Sequence, residues 1–226
     1  MKDENNLYQW NPVKEIMGNK EILLGRELSY QFVNNPRKIL YTMSYYKFAA
    51  KMIGSRKKVL HVGCGEGLGT WLLAKECGYA RGIDTDIDSI RVAMNTWTDK
   101  IISFEAIDFF LMKKEEFYGL VSVDLPLPHE KSRFFKHITG YISHDGVAVI
   151  VTPNVISEQY VNSAGENGYW KQLLREMEQY FHHVFIFGAT GEVIHTDFLM
   201  SSPYLILMGC RKRTLQLVND CKVIRR

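Results

Sequence analysis

Between Lys58 and Thr70 an apolar, strand-like run, Lys58-Val-Leu-His-Val62, passes directly into Gly63-Cys-Gly65-Glu-Gly67-Leu-Gly69-Thr70, and a helical pattern follows. Glycines at alternate positions let a backbone turn tightly and approach a ligand with no Cβ in the way. The free amides of the helix that follows add a weak positive pole. Two common ligands of such loops are disfavoured by spacing. A phosphate-binding loop of the G-x-x-x-x-G-K-[ST] kind needs a lysine that is missing here. The dinucleotide fingerprint G-x-G-x-x-G, counted from Gly63, requires glycine at position 68, which is Leu68.

The same join recurs along the chain, which gives the fold class. Short β-rich runs alternate with helical patterns from Lys57 onward, the signature of a parallel sheet with crossover helices. The predicted strands are Lys58–Val62, Ala80–Ile83, Ile101–Phe104, Leu120–Val123, Gly146–Val151, His183–Phe187 and Tyr204–Met208. Helices are predicted over Trp71–Cys77, closed by Gly78, over Asp88–Trp97 with Asp86 or Asp88 as cap, and over Tyr169–Phe181. The last two strands are joined by the non-helical stretch 188–202, which predicts an antiparallel pair at the sheet edge. The expectation is a seven-stranded, mostly parallel α/β sheet with helices on both faces and an antiparallel edge strand.

Upstream, Val13–Leu24 and Ile39–Met52 read as helices, so residues 1–56 are expected to form a helical cap, residues 57–213 the main domain and residues 214–226 a basic tail. The chain has 226 residues, 46% hydrophobic and 23% charged, which is the balance of an ordinary globular protein. The net charge of +3 is too mild to imply nucleic acid, although Arg211, Lys212, Arg213, Lys222, Arg225 and Arg226 make the carboxyl end basic. No apolar run approaches the ~18 residues of a spanning helix, and residues 1–6 are polar, so a cytoplasmic protein is expected. Cys64, Cys77, Cys210 and Cys221 are spaced too widely for a disulfide scaffold, and free thiols are expected. No metal is expected.

Val59–Gly67 resembles motif I of the class I S-adenosylmethionine-dependent methyltransferases. Gly82-Ile-Asp84 is similar to that family's second motif, whose acidic residue accepts both ribose hydroxyls. Asp108, after the third strand, matches the acidic residue beside the adenine amino group. Gly146–Asn154, ending Thr152-Pro-Asn154, resembles the fifth strand of bacterial members that act on small molecules, lipids and sugars. The resemblance implies S-adenosyl-L-methionine as cofactor, held by His61, Gly63, Gly65, Gly67, Asp84, Thr85, Asp108, Phe109 and Asp124. Plainer readings stand beside these: a helix cap for Asp84, although Asp86 or Asp88 can serve instead, and a cap at Phe109 for Asp108.

Two departures from the family pattern bear on function. Most members carry Asp or Glu where this chain has His61, so one anionic partner for the cofactor's ammonium is missing, and a satisfied core histidine is the plainer reading. After the fourth strand, Asp124-Leu-Pro-Leu-Pro-His129 replaces the family's Asp-Val-(Ile/Leu)-Glu-His and lacks the Pro-Pro-aromatic platform of base N-methyltransferases. Methyl transfer mainly requires alignment, with a base only for a poorly acidic hydroxyl or a protonated amine. His129 and His195 are the candidate bases. Tyr41, Tyr45, Tyr46 and Phe48 suit either an acceptor pocket or, the preferred reading, packing on the sheet. The expected function is methylation of an O or N atom of a small molecule or sugar. The alternative is a degenerate fold serving as an interaction subunit, since fold alone does not establish activity. RNA methylation ranks last.

Overall fold

The computed structural model describes residues 22–124, 131–154, 169–197, 199 and 201–213. His129, the 155–168 segment and the 214–226 tail lie outside them, as does most of the first predicted helix. Residues 22–24 are not helical; the first described helix is α1 (Arg26–Asn34), followed by α2 (Pro36–Ile53). Pro36 suits the first turn of α2, where its missing amide costs nothing.

All seven predicted strands are present as β1 (Lys57–Val62), β2 (Gly78–Asp84), β3 (Ile102–Ala106), β4 (Phe117–Val123), β5 (Ile142–Pro153), β6 (Phe181–Thr190) and β8 (Tyr204–Lys212). The sheet has eight strands rather than seven. The extra one, β7 (Val193–His195), pairs with the end of β6 across the turn at Gly191. Strand order is β3-β2-β1-β4-β5-β8-β6-β7. The first five strands in that order are parallel, whereas β8 runs antiparallel between β5 and β6. The reversed strand is therefore interior, and the predicted antiparallel pair is β6 with β8, while the edge itself is β7. The stretch 188–202 supplies that edge strand and does not merely join its neighbours.

Further helices are α3 (Leu68–Cys77), α4 (Ile87–Thr96), α5 (Lys131–Ile138) and α6 (Tyr169–Glu178), with a 3-10 turn at Phe109–Leu111. The last helix ends three residues short of the predicted Phe181, which opens β6 instead. Alternation along β1 divides the core. Leu60 and Val62 join the face covered by α5 and α6 through Phe134, Phe135, Ile138, Leu173 and Met177. Val59 joins the opposite face, covered by α2 and α3 through Tyr45, Tyr46, Ala49, Ile53, Leu73 and Cys77. Burying each large aliphatic side chain contributes roughly 1.5–3 kcal/mol, which ties α2 to the sheet. By contrast α1 buries no residue. Cys64, Cys77 and Cys210 are free thiols, and no helix among the described residues is long and apolar enough to cross a membrane.

Candidate functional site

The glycine loop is held from below by β2. Gly63 and Cys64 both donate their amides to the Ile83 carbonyl, at 2.9 and 3.0 Å. Gly65 donates to Asp84 Oδ2 at 2.8 Å, and Asp84 Oδ1 accepts from the Asp86 amide at 2.9 Å. Asp84 thus ends β2 with its carboxylate against the loop. Asp86 caps α4, accepting from the amides of Asp88 and Ser89. Gly67 starts α3 with φ of 88°, and a Cβ there would meet Ala93, Phe104 and Trp97 at 2.8 Å. At Gly65, with φ of 50°, a Cβ would enter open space. Gly67 is demanded by packing and conformation, Gly65 by conformation alone.

Open space lies on both sides of Gly63 and Asp84. One cavity, of about 280 Å³, runs under Val62, Ile83, Thr85, Ile107, Asp108, Phe109, Phe110 and Phe134. Its walls are mostly apolar, with carboxylates at Asp84 and Asp108. Asp108 also accepts the Phe110 amide at 2.8 Å, so capping and a place in the cavity wall coexist at this residue. The second cavity, of about 230 Å³, lies between the glycine loop, α1 and α2, and ends at Val123 and Asp124. Glu27, Gln31, Lys38, Thr42 and Tyr46 line it from the amino-terminal helices. Of these only Tyr46 was singled out in the sequence, as suiting either a pocket or packing on the sheet, and it does both.

Glu66, between Gly65 and Gly67, explains why α1 stands there. Its carboxylate accepts from the amides of Glu27 and Leu28, both at 2.9 Å, across 39 and 38 residues. The Trp97 indole anchors the Glu66 carbonyl at 2.8 Å. A helix start, where free amides point outward, is a natural seat for a carboxylate.

His61 lies in the core, fully buried between the Thr70 hydroxyl at 2.8 Å and the Tyr46 hydroxyl at 3.2 Å. Both partners are side chains, so it is the satisfied core histidine of the plainer reading. Burial pushes its pKa down to about 3, so the ring is neutral. The Tyr46 ring meets it edge-on and closes over Gly69, where a Cβ would lie 2.1 Å from the ring. His61 therefore touches the second cavity only through Tyr46.

Asp124 follows β4 with φ of 59°, its carboxylate 2.8 Å from Lys38 Nζ. His195 is far from it. One row of the sheet runs Val123, Val151, Ile206 and Phe187, and His195 pairs with Gly188 one strand further. Four interstrand steps amount to roughly 19 Å. His195 Nε2 lies 3.4 Å from both Thr190 and Ser202 hydroxyls, and its Nδ1 is buried without a partner. Glycine loop, Asp84, Thr85, Asp108, Phe109 and Asp124 are brought together; His195 is not, and His129 lies outside the described residues.

Solved structures resembling this one include a TehB-like S-adenosylmethionine-dependent methyltransferase from Corynebacterium glutamicum, with TM-score 0.59 and 18% identity over 83% of this chain and 100% of that one. N-methyltransferase NodS from Bradyrhizobium japonicum WM9, in complex with S-adenosyl-L-homocysteine, gives 0.58 and 15% over 82% and 92%. The tRNA (m1A58) methyltransferase TrmI from Aquifex aeolicus gives 0.54 and 18% over 76% and 69%. The fold is that of the S-adenosylmethionine-dependent methyltransferases. No protein-family model and no curated sequence matches the chain. Within this methyltransferase fold the neighbours' acceptors differ widely, so the acceptor has to be argued from the site.

Proposed function

We propose that this chain is an S-adenosylmethionine-dependent methyltransferase acting on an O or N atom of a small molecule or sugar. The observation that carries the reading is Asp84, whose carboxylate borders both cavities while bound to the Gly65 amide. The residues fit the cofactor. The apolar cavity with Phe109 and Phe110 suits a purine, Asp84 a ribose diol, and the open face at Gly65 a chain passing close to backbone. Bound there, the cofactor supplies an electrophilic methyl group on a sulfonium. Asp108, Phe109 and Thr85 would flank its nucleoside end and Gly63, Gly65 and Gly67 its middle. Asp124 stands at the end of the second cavity, where an acceptor would enter.

The small-acceptor reading is supported by the scale of that second cavity, a cleft hemmed by α1 and α2. With His195 four strands away, the described residues offer alignment rather than a histidine base at this place. His61, neutral and buried where a carboxylate is usual, favours the interaction-subunit reading, because the cofactor's ammonium lacks one anionic partner there. Calorimetry separates the two. S-adenosyl-L-homocysteine is expected to bind and NAD not to bind; a flat titration of folded protein with the former would promote the degenerate fold.

A further inference from the structure

Asp124 holds a primary ammonium already. Lys38 reaches from α2 to lie 2.8 Å from its carboxylate, at the end of the second cavity, with both side chains only about 30% exposed (28% and 31%). Hydrogen bonding to Asp124 holds the Lys38 pKa above its ordinary value, so this nitrogen stays charged. Beside the pair stand three tyrosines in mutual contact: Tyr41, Tyr45 and Tyr204, with ring centroids 5.8 to 6.1 Å apart. Burial pushes the Tyr45 and Tyr204 pKa values up, and the nearby Asp124 charge adds to this.

The Tyr45 hydroxyl supplies the independent sign of a ligand. The residue is 1% exposed and its oxygen has no hydrogen-bond partner, a costly arrangement in a protein interior. A carboxylate beside a cluster of tyrosines forms surroundings that attract cations, and a neutral hydroxyl gains little from them.

We infer that the acceptor is an amine, taken as an ammonium ion at the Asp124 carboxylate in the place now held by Lys38 Nζ. The inference rests on the methyl-transfer reading above and narrows its acceptor to nitrogen. A partly exposed ion pair is held weakly, so Lys38 can swing to solvent when the acceptor arrives. The ammonium then gives one proton to the Asp124 carboxylate, which passes it to water. The freed nitrogen lone pair forms the N–C bond as the C–S bond of the sulfonium breaks, with that electron pair left on sulfur. The products are a methylated ammonium and a neutral thioether, S-adenosylhomocysteine.

The test is calorimetric and uses protein saturated with S-adenosyl-L-homocysteine, so that no transfer occurs. Ethylamine, ethanolamine and benzylamine are each titrated beside ethanol, ethylene glycol and benzyl alcohol. At least one amine is expected to bind about tenfold or more tightly than its alcohol, as charge-assisted bonding requires. Asp124→Asn, which tolerates the left-handed backbone, is expected to erase that preference. Lys38→Met is expected to strengthen amine binding severalfold by removing the resident competitor. The affinity of each variant for S-adenosyl-L-homocysteine is measured first, so that every amine and alcohol is compared at saturation with it. If that product binds but no amine exceeds its alcohol, or the preference survives Asp124→Asn, the amine assignment is overturned and methyl transfer stands. If it does not bind the wild-type protein, methyl transfer falls and the amine assignment with it.

Discussion

Asp84 and Asp86 are two residues apart, and only their backbone settings separate their roles. Asp84 ends β2 against the glycine loop, whereas Asp86 already spends both oxygens on the first turn of α4. Two charge-assisted bonds at about 1.5–3 kcal/mol each, partly replaced by water, leave a penalty of roughly 2–3 kcal/mol for Asp84→Ala. That is about 30- to 150-fold in the dissociation constant of S-adenosyl-L-homocysteine, with Asp84→Asn between. Asp86→Ala should shift affinity by less than about threefold and instead cost up to ~1 kcal/mol of stability. Greater damage from Asp86→Ala would exchange the two assignments. His61 predicts a pH dependence. Unfolded it titrates near 6.5, folded near 3, so its contribution is complete above 6.5 and is lost as pH falls toward 3. Between pH 5.5 and 4.5 the wild type should lose about 1.4 kcal/mol more than His61→Gln in urea melts. Parallel losses would mean that the fold accommodates the charged ring. The glycines and Asp84 were legible because a strand end and a turn fix them locally. Lys38 was not, and Tyr46 was legible only as suiting either a pocket or packing, since nothing in a helix pattern says which loop it will cover.

At the scale of elements, α1 is lightly secured, with no buried residue and a start capped by a residue 39 positions away. Glu66→Ala removes both acceptors, a loss of roughly 0.5–2 kcal/mol at a helix start. Amide exchange at Glu27 and Leu28 should accelerate about 2- to 30-fold, while amides in β4 and β5 stay as protected as before. Uniform acceleration across the sheet would instead make Glu66 a support of the glycine loop. Local patterns carry most elements here, because alternation and caps act over a few residues. They miss β7, whose three residues are too few to show a period, and the insertion of β8 between β5 and β6, which is decided by pairing across the whole sheet. They also miss Glu66 as a cap, since a capping box is read within four residues and this one spans 39.

For the whole molecule, the two cavities meet at Gly63 and Asp84, so one ligand filling both would touch β1, β2, α1 and α2 together. Such a ligand binds only the assembled arrangement, because the unfolded chain brings none of these groups near one another. Mass action then stabilises the fold by about 2.7 kcal/mol at a free concentration one hundred times the dissociation constant. In a domain of this size each kcal/mol raises the melting temperature by roughly 2–4 °C. With the dissociation constant first measured by calorimetry, S-adenosyl-L-homocysteine at that excess should raise Tm by about 5–11 °C. NAD at the same concentration should leave it unchanged. Exchange protection at Glu27, Leu28 and Gln31 should rise with Tm, since α1 closes one wall of the second cavity. A rise in Tm with no change in α1 would confine the ligand to the apolar cavity beneath Asp84 and Asp108, and would remove α1 from the binding site.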